Sequence, residues 1–275
     1  MGHTLSPPMH ELKRTIRFSI NPEPWADSAA TPRHNTFGGW PSIRGFGRFY
    51  ELEVHCSGSP GPATGYIVNA SDVDSVVRSH AIPLIAEAVA GDPSAEPADV
   101  MPSLLDAIAA NAPFNVHRLI WHLTPYHALA MNSDETRNEI RVTADFDFAA
   151  SHRLDSPEMS AEENRRVFGK CNNPNGHGHN YRLRPCVAFP VDAAASGGTL
   201  ARIEQVVHDE VLQRFDHKHL NHDVPEFNGI NPSVEHITRI CFELLEDPIK
   251  EAGGRLVEVT VWETDKTSCT YSGTA

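Results

Sequence analysis

Hydrophobic and polar residues alternate along the second half of the chain with two distinct periods. Apolar residues at every second position are typical of a β-strand with one buried face, whereas apolar residues three or four positions apart are typical of an amphipathic helix. The predicted elements, in chain order, are strands at 139–149 and 179–189, helices at 199–215 and 232–246, and strands at 255–263 and 267–272. This order predicts an α+β domain with an antiparallel sheet and two helices. Asn231 and Pro232 are expected to cap and begin the second helix.

The first half of the chain follows the same order with weak similarity at individual residues. Segment 45–52 shares two glycines, a tyrosine and a leucine with segment 176–183, at matching positions. Further on, segment 118–122 lies opposite 258–263. Matched segments in one order predict a duplicated unit. Two unrelated β-rich domains with a chance Gly-x-Gly match are the alternative.

Length and charge limit the classes of protein. A chain of 275 residues with 40% hydrophobic residues can form two packed cores. We place these domains at 1–135 and 136–275, with the polar segment 131–138 as the linker. The formal net charge of −13 makes a nucleic acid an improbable partner.

Cysteine usage and the absence of apolar runs bear on the compartment. Five widely spaced cysteines do not suggest a disulfide framework, and a functional free thiol fits a reducing cytoplasm. The first eight residues lack the basic flank and apolar core of a signal peptide. No apolar run approaches the length of a membrane span, so we expect a cytoplasmic protein without a membrane partner.

Three histidines near the middle of the chain carry the strongest chemical signal. His177 and His179 are two positions apart on a predicted strand, so their rings share one face. His152 ends another predicted strand that could lie beside the first. Three imidazoles from two strands predict a Zn²⁺ site with one open position, which is typical of catalytic zinc. The alternative is ordinary surface histidines in a chain that has 16 of them.

The first half lacks these ligands at the matching positions. Phe46 and Arg48 stand where the second half has His177 and His179. Phenylalanine offers no ligand atom, and arginine repels a cation. We therefore expect the first domain to be a degenerate scaffold, with His122 in the place of the carboxylate at Glu263.

Four motifs in the second half resemble the 6-pyruvoyl-tetrahydropterin synthase family and its 6-carboxytetrahydropterin synthase relatives. They lie at 168–181, 216–221, 231–235 and 261–265, in the family's order and spacing. The resemblance implies the tunnelling fold, in which the sheets of several subunits close into a barrel, and it implies a pterin triphosphate substrate. It therefore predicts two tandem tunnelling-fold domains and a homo-oligomer whose sites are shared between neighbours.

The resemblance also assigns roles to side chains outside the zinc site. It implies that Cys171 removes a carbon-bound proton, that Asp216 and His217 relay protons, and that Glu263 anchors the pterin ring. Ser233 and Glu235 match family positions near the substrate. For each residue a structural alternative exists: an inert buried thiol, a surface Asp-His pair, or a charged strand end.

The resemblance further implies a zinc-dependent lyase that converts 7,8-dihydroneopterin triphosphate to 6-pyruvoyl-tetrahydropterin. A sister reaction on the same substrate gives 6-carboxytetrahydropterin for queuosine synthesis, but that type usually has a shorter gap than the one between Cys171 and His177. A third branch, which feeds folate synthesis, typically lacks the cysteine. A non-catalytic pterin-binding or assembly protein is the alternative from another class.

Overall fold

The computed structural model of the protein describes residues 10–22, 37–134 and 136–273. The chain forms two compact units. The first contains the residues up to Arg141 together with Pro190–Gly197, and the second contains Val142–Phe189 and the residues from Gly198 onward. The N-terminal segment inspected for a signal peptide lies outside the described residues. No helix in the described ranges combines the length and apolarity that a bilayer span requires.

The first unit is an antiparallel sheet covered by helices. Its strands follow the order β1-β2-β3-β4, and the three helices are inserted between β2 and β3. The elements are β1 (His10–Ile20), β2 (Arg48–Gly58), α1 (Ala70–Val76), α2 (Ile82–Gly91), α3 (Pro97–Asn111), β3 (Asn115–Thr124) and β4 (His127–Asn132). Alternate strand residues such as Ile16, Phe18 and Leu52 are buried, as are Leu105 and Ile108 of α3. This alternation gives the sheet one core face.

The second unit is built around the long strand β7. Its elements, together with those near the division, are β5 (Glu139–Ala144), β6 (Phe146–His152), α4 (Ala161–Phe168), β7 (His177–Pro190), α5 (Val191–Ala195), α6 (Thr199–Val207), α7 (Gln213–Phe215), β8 (Lys218–His219), α8 (Leu220–Asp223), α9 (Val234–Glu251), β9 (Arg255–Thr264) and β10 (Thr267–Tyr271). Strand β5 crosses the division, and α5 belongs to the first unit. Strand β7 pairs antiparallel with β6 and β9, β9 pairs with β10, and β8 joins β6 in parallel.

The core face of β6 and β7 supports the candidate site. Phe148 and Tyr181 are register partners whose rings stack with centroids 5.0 Å apart, and Phe215 of α7 meets Phe148 edge-on at 5.8 Å. All three residues are at most 2% exposed. Cross-strand partners in an antiparallel pair share a face. The next two partner pairs on this face are Ala150 with His179 and His152 with His177.

The structure differs from the sequence-based expectations at several points. The strand predicted at 139–149 is two strands, β5 and β6, and the sheet is mixed rather than antiparallel, because β8 pairs with β6 in parallel. The helices α4 and α8 were not predicted by the apolar periodicity. Helix α9 begins at Val234, and Ser233, rather than Asn231, is its N-cap. The Ser233 hydroxyl accepts a hydrogen bond from the backbone N–H of His236, which satisfies one of the otherwise free donors of the first turn. In the predicted linker 131–138, the first two residues belong to β4, and Glu135 lies outside the described residues.

The two units share irregular features as well as element order. Strands β2 and β3 shift register between His55 and Cys56, and β7 and β9 shift register between Cys186 and Val187. Each unit also has a π-helical turn in its first long helix, at Val77–Ala81 and at His208–Leu212. Bulges and π-turns interrupt regular hydrogen bonding, so matched pairs of both are specific similarities.

The register also corrects the proposed match between the ends of β3 and β9. Leu52 pairs with Trp121, whereas Leu183 pairs with Val261, so His122 corresponds to Trp262. Leu123, not His122, therefore occupies the position of Glu263. The first unit therefore still lacks a carboxylate at this position, and the residue that replaces it, Leu123, is apolar.

Candidate metal centre and active site

Three histidines converge where β6 and β7 pair. His152 is the register partner of His177, and Ala150 is the partner of His179, so all three imidazoles lie on the core face. The Nε2 atoms of His152 and His177 are 3.1 Å apart. One ligand nitrogen from each of the three rings lies within 4.8 Å of the others. Two ligand nitrogens of a tetrahedral Zn²⁺ site are about 3.3 Å apart, given Zn–N bonds of about 2.0–2.1 Å.

The hydrogen bonds of the cluster leave its ligand atoms available to a cation, because the contact of His152 Nε2 is to another ring of the cluster, at His177 Nε2. His152 Nδ1 donates to the Pro232 carbonyl at 2.7 Å, so the lone pair of this neutral ring is on Nε2. The Nε2 atom of His179 is buried and has no hydrogen-bond partner among the described residues. Buried polar atoms without partners are costly. The donor set and this orphaned nitrogen fit a divalent metal ion that prefers imidazole ligands.

Burial keeps the histidines in the form that binds metal. Burial lowers the pKa of His152 to about 4, and the neighbouring His177, His179 and His219 oppose its protonation further. Burial, followed by the positive charge that His179 can carry, also lowers the pKa of His177. Both rings are therefore neutral near pH 7, and only a neutral imidazole offers a lone pair to a metal.

Glu263 lies beside the histidine cluster. Its Oε1 atom is 3.6 Å from His152 Nε2 and 3.8 Å from His179 Nε2. The side chain is at the end of β9 and remains 21% exposed, so the carboxylate borders both the cluster and solvent. This position is suited to a group that contacts a molecule bound beside the three histidines.

Cys171 lies in a short 3₁₀ turn, Gly169–Asn172, that is held in place by the chain just after β6. The Cys171 carbonyl accepts a hydrogen bond from the Leu154 N–H at 2.9 Å, and the buried Asn172 amide donates to the Leu154 carbonyl at 2.8 Å. Burial and the negative charge of Glu263 raise the pKa of the Cys171 thiol. A thiol held close to the carboxylate would therefore need a nearby cation to ionise at neutral pH.

Asp216 and His217 form a pair immediately before β8. Asp216 accepts a hydrogen bond from the Ala149 N–H at 2.8 Å, and this bond, followed by the interaction with His217, lowers the pKa of Asp216. His217 Nδ1 is 2.9 Å from Asp216 Oδ2. No hydrogen bond or ion pair among the described residues connects this pair to Cys171 or to the three histidines.

His217 has an unusual backbone. It is the one residue other than glycine with a positive φ in the described ranges, at 57°. Its N–H donates to the Ala149 carbonyl at 2.6 Å, which holds this conformation, and its side chain is 81% exposed. Left-handed backbone costs roughly 1–2 kcal/mol for a residue with a Cβ, and such strain is concentrated at functional sites.

Ser233 and Glu235 lie at the N-terminus of α9, close to the loop that supports His152. A hydrogen bond from the Ser233 hydroxyl lowers the pKa of Glu235. The carbonyl of the preceding residue, Pro232, is the one that accepts from His152. The α9 N-terminus therefore fixes the tautomer of a candidate metal ligand.

Comparison with known proteins identifies the family of this chain. A family model described as 6-pyruvoyl tetrahydropterin synthase matches residues 141–274. The Homo sapiens 6-pyruvoyl tetrahydrobiopterin synthase is 38% identical over 138 residues, which cover 50% of this chain and 94% of the human protein. The chain belongs to the 6-pyruvoyl tetrahydropterin synthase family. The Drosophila melanogaster synthase is 35% identical over 127 residues, 46% of this chain and 75% of the fly protein. The solved structure of the Caenorhabditis elegans synthase has 34% identity and a TM-score of 0.45, and the match covers 50% of this chain and 96% of that chain.

The second unit also has a cleft of about 570 Å³ beside the paired strands β6 and β7. It is lined by residues 149–151 of β6 and 178–180 of β7, which include the candidate ligand His179, and by His217, Lys218, His219 and Asp223. His219 packs on His222 with ring centroids 4.3 Å apart, and an added Cβ on Gly176 would lie 2.9 Å from His219 Nε2. Sequence reasoning did not place His219 near the site, because its spacing matches no ligand pattern. The pairing of β8 with β6 brings it there.

Proposed function

We propose that this chain is a zinc-dependent lyase that converts 7,8-dihydroneopterin triphosphate to 6-pyruvoyl-tetrahydropterin with loss of triphosphate. The observation that carries the proposal is the cluster of His152, His177 and His179 with the Glu263 carboxylate beside it. The relatives named 6-pyruvoyl tetrahydrobiopterin synthase support this class of reaction. Product and triphosphate together have the composition of the substrate, so no external oxidant or reductant is needed.

In this proposal the three histidines would hold Zn²⁺, which would supply Lewis-acid polarisation of the substrate side-chain oxygens. Cys171 removes a proton from a side-chain carbon next to such an oxygen. Its pKa is raised by burial and by Glu263, so deprotonation at neutral pH depends on compensating positive charge. Glu263 orients the substrate through hydrogen bonds to its carboxylate, in keeping with the role that the family resemblance implies.

Asp216 and His217 would return protons to the substrate. Asp216 is fixed by the Ala149 N–H and orients the exposed His217 ring, an arrangement suited to a general acid or base. The resemblance implies sites shared between neighbouring subunits. We therefore propose that Asp216 and His217 of one subunit lie close to Cys171 of a neighbouring subunit in a homo-oligomer. Ser233 and Glu235 complete the proposed substrate contacts.

The shared bulges and π-turns support a tandem duplication in which the first copy has lost this chemistry. Ile20 pairs with Arg48 where the second unit pairs Ala150 with His179. Arg48 donates to the Pro93 carbonyl at 2.8 Å, and Phe46 is fully exposed. In this interpretation the first copy keeps its strand pairing, which contributes sheet edges to the oligomer, without a catalytic site.

One experiment separates the candidate functions. The zinc-loaded protein is incubated with 7,8-dihydroneopterin triphosphate, and the products are identified by mass spectrometry. The proposal predicts 6-pyruvoyl-tetrahydropterin and free triphosphate. Formation of 6-carboxytetrahydropterin instead would favour the queuosine-pathway reaction. Substrate binding without turnover, and without any effect of Cys171→Ala, would favour a non-catalytic pterin-binding protein.

A further inference from the structure

A second cluster of ligand-type side chains lies in the first unit, away from the positions of Phe46 and Arg48. It consists of Glu11 on β1, His55 on β2 and His117 on β3. One ligand atom from each side chain lies within 4.8 Å of the others. Glu11 Oε1 is 2.6 Å from His55 Nδ1 and 3.1 Å from His117 Nε2. A set of two imidazoles and one carboxylate is a common donor set for divalent transition metals.

A β-bulge brings His117 to this cluster. His55 pairs with Arg118, but Cys56 pairs with Val116, so His117 is the extra residue of β3 at the register shift. Bulges re-aim a side chain that would otherwise follow the regular alternation. The ring of His117 meets His55 edge-on, with centroids 5.8 Å apart. The second unit has its bulge at the same place, but Cys186 and Val257 stand at the positions of the two histidines.

Glu53 orients the buried ligand of the cluster. His55 is 3% exposed, and its Nε2 atom is 2.6 Å from Glu53 Oε1. When Nε2–H donates to Glu53, the Nδ1 lone pair points toward Glu11 and His117. A carboxylate that receives the second N–H of a ligating histidine fixes its tautomer and raises its basicity. The side chains of Glu11 and His117 are 44% and 37% exposed, which leaves a path from solvent.

We propose that Glu11, His55 and His117 bind a second divalent transition-metal ion, with Glu53 as the positioning residue for His55. Without a cation, Glu11 interacts with both histidines directly. With one, the three ligand atoms surround the ion and at least one position remains open to water.

The surrounding charges restrict the class of ion. Lys13 is the register partner of His55 on β1, and Arg118 is its partner on β3. These two cations offset the charges of Glu11 and Glu53, so the cluster has no large excess of negative charge. Binding therefore depends on coordination by imidazole. We expect Zn²⁺ or Co²⁺ to bind in preference to Mg²⁺ or Ca²⁺, which favour sites made of oxygen ligands.

The test uses the full chain with the His177→Ala/His179→Ala double substitution, which removes two ligands of the synthase-family site. This protein is equilibrated with Zn²⁺ and analysed for bound metal. The expected result is one Zn²⁺ per chain. Adding His117→Ala should abolish binding, whereas His122→Ala, on the same strand but outside the cluster, should leave it unchanged. Glu53→Gln should weaken Zn²⁺ binding by about 10–100-fold.

Co²⁺ provides a second readout that does not depend on activity. Its visible absorption in the double variant should report imidazole coordination and should disappear with His117→Ala. Failure of the double variant to bind Zn²⁺ or Co²⁺ would overturn the proposal, as would binding that His117→Ala leaves unchanged. In that case the cluster is only a hydrogen-bonded network of Glu11, Glu53 and the two histidines. Because the synthase-family site is already disabled, neither outcome depends on the proposed lyase function.

Discussion

Gly176 provides a direct test of how the turn before β7 supports the metal site. Its φ is +72°, and a Cβ added there would lie 3.0 Å from the His152 carbonyl oxygen and 2.9 Å from His219 Nε2. The His219 ring can rotate away. The carbonyl of His152 cannot move freely, because His152 pairs with His177 at the end of β6. Gly176→Ala should therefore displace the strand that carries a candidate zinc ligand.

The size of the effect follows from two contributions. Left-handed backbone costs an alanine roughly 1–2 kcal/mol, and forced overpacking costs about 1–3 kcal/mol more. Gly229→Ala is the matched control, since Gly229 has a φ of +74° and an added Cβ there would meet no atom within 4 Å. The backbone contribution and the effect of alanine on the unfolded chain are similar in both variants. Their difference, about 1–3 kcal/mol, isolates the contact with His152.

The assay compares thermal unfolding and Zn²⁺ affinity of the two variants. A difference of 1 kcal/mol corresponds to roughly 2–4 °C in a protein of this size, so Gly176→Ala should melt at least about 2 °C below Gly229→Ala. Chelator competition should show Zn²⁺ binding weakened by about tenfold or more for Gly176→Ala only, the scale expected when the support of a ligand is disturbed. Equal melting temperatures and equal Zn²⁺ affinities would refute the reasoning.

Three further predictions address the catalytic groups. Cys171→Ala should keep its Zn²⁺ but lose turnover by about a hundredfold or more, because the thiol is proposed as a base; loss of metal would instead make it a ligand. In the metal-free protein, Glu263→Gln should lower the pKa of Cys171, whose thiolate forms only above that pKa, and shift the pH profile of thiol alkylation to lower pH; an unchanged profile would contradict the described coupling. His217→Asn, which tolerates left-handed backbone, should be inactive alone yet recover activity when reassembled with Cys171→Ala, and light scattering should show an oligomer; an active monomer would exclude shared sites.

The sequence by itself predicted the main strands and helices of the second unit and its candidate metal ligands. The two-residue spacing of His177 and His179 placed both rings on one face of a strand, because side chains alternate along β-structure. The periodic apolar positions likewise located β7, α9 and β9, since burial of one face selects the period. These features depend on local geometry, which is why a single segment was enough to predict them.

Only the tertiary structure decided which distant groups meet. Glu263 lies 3.6 Å from His152 because β9 and β6 flank opposite sides of β7, a relation that no local pattern encodes. The bulge that moves His117 beside His55 depends on a register shift between strands that are about 60 residues apart, and no spacing rule joins Glu11 to them. Register and bulges are set by packing across the whole sheet. The sequence therefore predicted the candidate ligands on the paired strands β6 and β7, whereas the second cluster became visible only in three dimensions.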